Sequence, residues 1–200
     1  MRHDETGVTL NLHAVLSASR SNGPGTRYVI WFQGCTLGCS GCFNPETHTA
    51  EASSLITVSE LMWGIHQVEH RIEGITISGG EPLQQPQGLL RLLCTVRRET
   101  ELTILLFSGY QLSEIERWPF GKALLAELDV LIAGRYQRER HLGMGLRGSS
   151  NQTIHLLSER YTLREVEATL VNEIHIQPGG TVLITGIGGV SVRNPSQLTE

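Results

Sequence analysis

Between residues 27 and 133 the chain alternates short apolar, β-branched runs with stretches whose apolar positions recur every three or four residues. Arg27–Tyr–Val–Ile–Trp–Phe–Gln33 has no charge in its centre, the pattern of a strand buried on both faces. A cap at Thr57 or Ser59 opens a helix to about Ile72, because Leu61, Ile65, Val68 and Ile72 share one face and leave His66, Glu69, His70 and Arg71 off it. Gly74 to Ser78 then predicts a strand, ended by the turn-forming Gly79–Gly80–Glu81–Pro82. Leu89, Leu92, Leu93 and Val96 give Gln85 to Thr100 helical spacing, and Leu102 to Phe107 predicts a strand that ends in Ser108–Gly109–Tyr110. A helix follows within Ser113 to Leu128, broken or restarted near Pro119 and Gly121. Val130 to Ala133 is a last strand, closing on Gly134.

Strand and helix in alternation with short connections is the βαβ pattern, so the sequence predicts an α/β fold: a parallel sheet or a partial (β/α) barrel. Ligands in such folds collect beyond the carboxyl ends of the strands. Those ends carry a cysteine loop, Ser78–Gly79–Gly80–Glu81, Ser108–Gly109–Tyr110 and Gly134–Arg135–Tyr136. The C-terminal third differs. Gly143 to Gln152 is rich in Gly, Ser and Asn, Thr153 to Leu157 suits a short strand, and Glu173–Ile176 and Thr181–Thr185 flank Pro178–Gly179–Gly180 as a hairpin. This region is expected to cap or edge the sheet. Without an internal repeat or a composition break, the chain reads as one domain, residues 1–200, with a core of about 8–160 and an extension of about 161–200. Residues 1 to about 7 and 193 to 200 are expected to fray.

Composition narrows the class. With 40% hydrophobic residues and a net charge of −4, the chain suits a soluble globular protein and lacks the basic field that holds nucleic acid. Ile104 to Phe107 and Val182 to Ile184 are far short of the ~20 apolar residues of a membrane span. Met1 to Glu5 carries acids and no apolar run, so no signal segment is expected and a cytoplasmic location is. Neither nucleic acid nor a membrane is an expected partner.

Cys35, Cys39 and Cys42 fall within eight residues, while Cys94 stands in an apolar helical stripe and reads as core. In the reducing cytosol such a cluster suggests metal ligation rather than disulfides. Gly34, Gly38 and Gly41 leave the backbone free to curl around a body in its middle. Iron-sulfur clusters usually take four thiolates; with three, and unless Cys94 is the fourth, one iron stays open to a small molecule. A structural zinc completed by His48 is the alternative, and unligated buried thiols a third reading. His66 and His70, four apart, lie on a solvated helix face, and Tyr28, Trp31 and Phe32 read as strand core.

Cys35–Thr–Leu–Gly–Cys39–Ser–Gly–Cys42 has the CxxxCxxC form of the radical S-adenosylmethionine enzymes, and Gly79–Gly80–Glu81–Pro82 resembles their GGEP motif. The resemblance is closest to the activating proteins of anaerobic glycyl-radical enzymes, in particular the anaerobic ribonucleotide reductase activating protein family. Asn22–Gly–Pro–Gly25, Arg27 and Phe32–Gln–Gly–Cys35 are similar to its DGPGxR and FxGC elements. Gly41 to Thr47, Ser108–Gly109–Tyr110, Asp129 to Gly134 and Arg147 to Gln152 resemble its GCFNPET, SGY, DVLxDG and RGSxNQ stretches. The likeness covers roughly residues 8 to 160.

The resemblance implies a 4Fe-4S cluster on Cys35, Cys39 and Cys42, with S-adenosylmethionine on the open iron as source of a 5'-deoxyadenosyl radical. It implies a cofactor site at Phe43, Ser78, Gly79, Gly80, Glu81, Pro82 and Ser108, with Arg135 or Arg147 toward the cofactor carboxylate. Glu81 is expected to brace its turn rather than titrate. Asn22, Gly23, Arg27 and Arg147 are expected to face the partner, and no catalytic side chain is expected beyond the cluster and S-adenosylmethionine. The implied partners are a glycyl-radical enzyme, anaerobic ribonucleotide reductase, and a flavodoxin- or ferredoxin-type electron donor. Asn22 and Ala133 depart from the family's Asp at both places, which puts the partner in question. A radical enzyme acting on a peptide or small metabolite, and a non-catalytic zinc or iron-sulfur module, are the other readings.

Overall fold

The computed structural model describes residues 7–51, 53–176, 180–187 and 191–193. The fraying expected at the termini, and Pro178 and Gly179 of the expected hairpin tip, lie almost entirely outside the described residues. The fold is mixed α/β around a seven-stranded sheet in the order β3-β1-β2-β4-β5-β6-β9. Its centre is parallel: β2 (Arg27–Phe32), β4 (Gly74–Gly79), β5 (Thr103–Ser108) and β6 (Val130–Ala133) pair in register. Antiparallel strands flank it, with β1 (Thr9–Ser19) and β3 (Ser54–Thr57) on one side and β9 (Thr153–Leu156) on the other. The sequence reading did not anticipate β1 or β3.

Between the parallel strands run α1 (Val58–Val68), α2 (Pro86–Glu99), and the short α3 (Leu112–Ile115) and α4 (Gly121–Ala126). Thr57 and Glu60 form a reciprocal capping box that starts α1. The helix stops at Val68 rather than Ile72: a 3-10 turn, Glu69–Arg71, leads into extended backbone at Ile72, which is still buried. Pro86 opens α2 at a position where its missing N–H costs nothing.

Alternation along the strands sorts the core into two layers. Tyr28, Ile30, Phe32, Ile75, Ile77, Ile104, Leu106 and Leu131 meet Leu61, Ile65, Leu89, Leu92, Leu93 and Leu124 of the helices. Burying a side chain of this size stabilises the fold by roughly 1.5–3 kcal/mol, so this layer is the main apolar contribution. The residues between them point to a second face that carries none of α1–α4. There Leu105, Val130 and Ile132 pack with Leu146 and with Val166 of α5 (Leu163–Glu167). Val29 and Trp31 pack with Leu183.

Leu183 belongs to a separate sheet, β10 (Asn172–Ile176), β11 (Val182–Gly186) and β12 (Ser191–Arg193). The expected C-terminal hairpin is β10–β11, and it caps the second face. A smaller hairpin, β7 (His141–Met144) and β8 (Arg147–Ser149), stands before β9. Among the described residues no helix is long and apolar enough to cross a membrane.

Candidate metal and cofactor site

The cysteine loop leaves β2 and is held by the chain's own backbone. Gly34 N–H donates to Thr47 O at 2.8 Å and Cys35 N–H to His48 O at 3.2 Å, closing residues 34–48 into a ring around the thiols. Inside it, Cys42 N–H donates to Cys39 O at 3.2 Å, and Gly34, Gly38 and Gly41 all have positive φ. All three thiols are half-buried. Burial pushes the Cys35 thiol up, the Leu37 N–H pulls it down, and Glu81, Cys39 and Cys42 push it up again. Cys42 is raised by burial and by Cys39 and Glu46, against the Asn44 N–H. The sulfurs thus lie within electrostatic range of one another, and the Cys35 and Cys42 thiols resist ionising alone. A bound cationic centre relieves that and deprotonates its thiols outright.

The Gly79–Gly80–Glu81–Pro82 turn is stitched to this loop. Gly80 N–H donates to Phe32 O at 2.8 Å and Glu81 N–H to Gly34 O at 2.9 Å. Gly79 has φ +97°, and a Cβ there would lie 2.5 Å from both N and O of Phe32. Only glycine fits. A Cβ on Gly80 would strike the Gly34 carbonyl.

Glu81, 1% exposed, accepts from Leu83 N–H at 3.0 Å, Gly109 N–H at 2.7 Å and the Ser108 hydroxyl at 3.0 Å. It joins the ends of β4 and β5. Burial raises its carboxyl to about 7, against those hydrogen bonds and Arg135. Ser108 also accepts from Tyr110 N–H at 3.0 Å, so its hydroxyl is part of the brace. Pro82 is buried and begins a 3-10 turn, Pro82–Gln84.

A cavity opens on the second face of the sheet. Cys39, Cys42, Phe43, Ser78, Gly79 and Ser108 line one part of it, with Asn22, Trp31, Phe107, Gly134, Tyr136 and Ile187 around the rest. Of the expected cofactor residues, Phe43, Ser78, Gly79 and Ser108 line this cavity, while Gly80, Glu81 and Pro82 act behind it. Arg135 is not in its lining: it pairs with Glu114 at 3.7 Å and lies over the Tyr110 ring at 5.6 Å. Arg147 is likewise off the lining and pairs with Glu167 at 3.1 Å.

The residues expected to face a partner divide. Asn22 lines the cavity, its amide donating to Ser19 Oγ at 2.8 Å and Thr185 Oγ1 at 2.9 Å. Arg27 corrects the sequence reading. It is wholly buried, and Gly23 is buried against its side chain. The Arg27 guanidinium donates to Thr76 Oγ1, Thr103 Oγ1, Tyr161 OH and the carbonyls of Pro24, Ile75 and Thr103. Neither residue can meet a partner. Both fix the segment that carries Asn22 onto the sheet.

Trp31, Phe107 and Ile187 were missed as lining residues, while Tyr136 was placed on the ligand-bearing rim without a role in the site. For Trp31 and Phe107 the signal was strand alternation, which puts them on the face opposite Phe32 and Leu106. Gln152 holds the rim: it accepts from the N–H groups of Gly148 and Ser149 and donates to Gly134 O. Cys94 is half-buried with its thiol 3.7 Å from Glu127, so it is not a core residue. His66 pairs with Glu69 and Glu99 on an exposed face, as its spacing suggested. Among the described residues no three His, Cys, Asp or Glu side chains are gathered as around a single metal ion. A multi-iron cluster held at its corners does not require that convergence. Three Gly-spaced thiols, of which Cys39 and Cys42 line the cavity and Cys35 does not, fit such a cluster with one side open.

Residues 21–155 match a family profile described as a 4Fe-4S single cluster domain. An anaerobic ribonucleoside-triphosphate reductase-activating protein of Vibrio cholerae is 33% identical over 162 residues, covering 77% of this chain and 100% of its own. That of Escherichia coli K12 is 29% identical over 155 residues, 74% of this chain and 99% of its own. A pyruvate formate-lyase-activating enzyme of Clostridium pasteurianum is 34% identical over 103 residues, 50% of this chain and 43% of its own. The solved structure of QueE from Escherichia coli covers 52% of this chain and 54% of its own at TM-score 0.44 and 15% identity.

Proposed function

Because the chain belongs to the 4Fe-4S single cluster domain family and to that of the anaerobic ribonucleoside-triphosphate reductase-activating proteins, we propose that it is a radical S-adenosylmethionine enzyme that places a radical on a glycine of a partner enzyme, anaerobic ribonucleotide reductase. Cys35, Cys39 and Cys42 hold the 4Fe-4S cluster. When bound, the cluster supplies the electron that cleaves S-adenosylmethionine to methionine and a 5'-deoxyadenosyl radical, which takes a hydrogen atom from the glycine.

The chain's own residues position and shield. Gly79 and Gly80 present bare backbone at the end of β4, where a cofactor's ammonium can meet carbonyl oxygens. Ser78 and Phe43 line its approach, and Glu81, through Ser108 and Gly109, keeps the ends of β4 and β5 from parting. Trp31, Phe107 and Tyr136 give the cavity apolar walls that exclude water from a reactive centre. Asn22 stands on the partner's side. One observation carries the reading: the cysteine loop and the Gly79–Gly80 turn share hydrogen bonds and open onto one cavity.

The chain acts as one domain, core about 8–160 with an extension of about 161–200, in a partial-barrel arrangement. The gathering of α1–α4 on one face and the cavity on the other supports this. A flavodoxin- or ferredoxin-type protein supplies the electron, and the reaction belongs in the cytoplasm, where thiols stay reduced.

The test is anaerobic reconstitution with iron and sulfide, reduction with dithionite, and assay of added S-adenosylmethionine for 5'-deoxyadenosine. Product from the wild type and none from a folded Cys39→Ala variant is expected. Cleavage retained by Cys39→Ala defeats the assignment, and tightly held zinc without iron returns the chain to a structural module.

A further inference from the structure

The family profile ends at residue 155. The β10-β11-β12 sheet therefore lies beyond the residues the profile matches, yet it reaches the cavity. Gly186 and Ile187, at the end of β11, line the same cavity as Cys39, Cys42 and Gly79. Leu183, 9% exposed, packs on Val29 and Trp31.

Polar groups latch this sheet to the turn after β1. Glu173 Oε2 accepts from the Ser19 hydroxyl and the Arg20 N–H, both at 2.8 Å. Thr185 is fully buried; its Oγ1 accepts from Asn22 Nδ2 at 2.9 Å and its carbonyl from the Ser21 hydroxyl at 3.1 Å. Ile187 N–H donates to Val171 O at 2.9 Å, which fixes the last turn of the wall.

We propose that this sheet is the substrate-side wall of the cavity: β10 and β11 hold Gly186 and Ile187 where they contact the glycine-bearing loop of the partner and select which partner is accepted. The proposal rests on the radical-generating reading above. The cysteine loop and the Gly79–Gly80 turn claim one part of the cavity for cluster and cofactor, so the glycine must enter elsewhere. Ser21, Asn22, Gly186 and Ile187 frame another part. Ile187 gives this part an apolar contact, and Gly186, at φ +138°, is held so close to Val171 O and Asn172 at the start of β10 that no other residue fits there, which fixes where Ile187 stands. Glu173 and Thr185 are positioning residues that act through Gly186 and Ile187.

Glu173→Ala breaks the latch without touching the cavity lining, and Glu173→Gln keeps an acceptor oxygen. Glycyl radical on the organism's own anaerobic ribonucleotide reductase is followed by electron paramagnetic resonance against reductase concentration. Dithionite-driven 5'-deoxyadenosine formation without reductase is measured in parallel. Glu173→Ala is expected to raise KM for the reductase about tenfold while kcat and partner-free cleavage stay within about twofold, and Glu173→Gln to restore most of the loss. An unchanged KM overturns the proposal, as does a fall in partner-free cleavage with KM fixed, which assigns the sheet to the cofactor. Should Glu173→Ala fail to fold, a photo-crosslinking amino acid at Ile187 decides. Crosslinks to the peptide holding the radical glycine support the wall, and crosslinks only elsewhere sink it. A wild type that forms no 5'-deoxyadenosine removes the radical reading itself, a result separate from either.

Discussion

Arg27 enters the second face of the sheet with six hydrogen bonds, all to neutral oxygens. Burial pulls its pKa down, and Tyr161, Asp129 and Glu73 only partly offset this. Its contribution lies in satisfying acceptors that would otherwise be buried unpaired. Arg27→Met is expected to cost about 3 kcal/mol in urea unfolding, and a loss below about 1 kcal/mol would return the residue to a role outside the core. The sequence could not show this, because an arginine at a strand's start looks the same whether it points out or in. Glu81 was legible as a brace, since a carboxylate in a tight turn has backbone N–H groups at hand, but the expectation that it would not titrate overlooked the burial that raises its carboxyl to about 7. With its carboxyl raised from 4.5 to about 7, Glu81 holds its proton more tightly folded than unfolded. The resulting stabilisation is fully present below about pH 4.5 and lost as pH rises through 7, about 3 kcal/mol in all. Iron-free wild type is expected to lose stability to urea between pH 5 and pH 8 by up to about that amount, and Glu81→Gln not to. A parallel decline in both proteins would assign the effect to other groups.

Elements with an unbroken pattern were legible. The four parallel strands and α2 stand within a residue or two of their expected bounds, because the strands are short, continuous apolar runs between turn residues and α2 repeats Leu89, Leu92, Leu93 and Val96 at helical spacing. The long strand β1 was not. Its alternation, Leu10 and Leu12 in, Asn11 out, is interrupted by register shifts between Leu12 and Ala14 and again between Leu16 and Ser19, and each shift resets the face. The strand β3, Ser54–Thr57, carries only two apolar residues, and its Thr57 was read as the cap of α1. The turn at Gly79 was legible as a turn, but its closeness to β2 was not, since sequence does not print a contact between residue 79 and residue 32. That contact yields a test. In Gly79→Ala the new methyl meets the Phe32 backbone, so the turn must part from β2 and carry its carbonyls away from the cofactor. We expect a folded protein by circular dichroism with S-adenosylmethionine cleavage down about a hundredfold, the usual effect of misplacing a reacting group by an ångström. Near-normal cleavage would mean that the turn is not where the cofactor sits.

At the scale of the whole molecule, the site lies where separate pieces of chain meet, and the sequence showed the pieces better than the meeting. Cysteine spacing and the Gly79–Gly80–Glu81–Pro82 run could be read directly; the wall formed by Gly186 and Ile187 could not, since nothing in β11 marks it as facing residues 21 and 22 rather than solvent. The same geometry says what the metal does for the fold. Residues 34–48 are closed by backbone bonds from Gly34 to Thr47 and from Cys35 to His48, and tied to the turn after β4 by Glu81 N–H on Gly34 O. Both helix-side and second-face cores are complete without any residue of the cysteine loop. Small domains built around a structural metal behave otherwise: their binding energy is their folding energy, and chelation unfolds them. Iron removal under anaerobic conditions is therefore expected to abolish S-adenosylmethionine cleavage while the urea midpoint of the chain moves by an amount equivalent to about 1 kcal/mol or less. The site would then be an attachment to a self-sufficient scaffold, free to lose and regain its cluster. Cooperative unfolding on chelation would show that the three thiolates hold the fold as well as the chemistry, and that the backbone ring around them is too weak to stand alone.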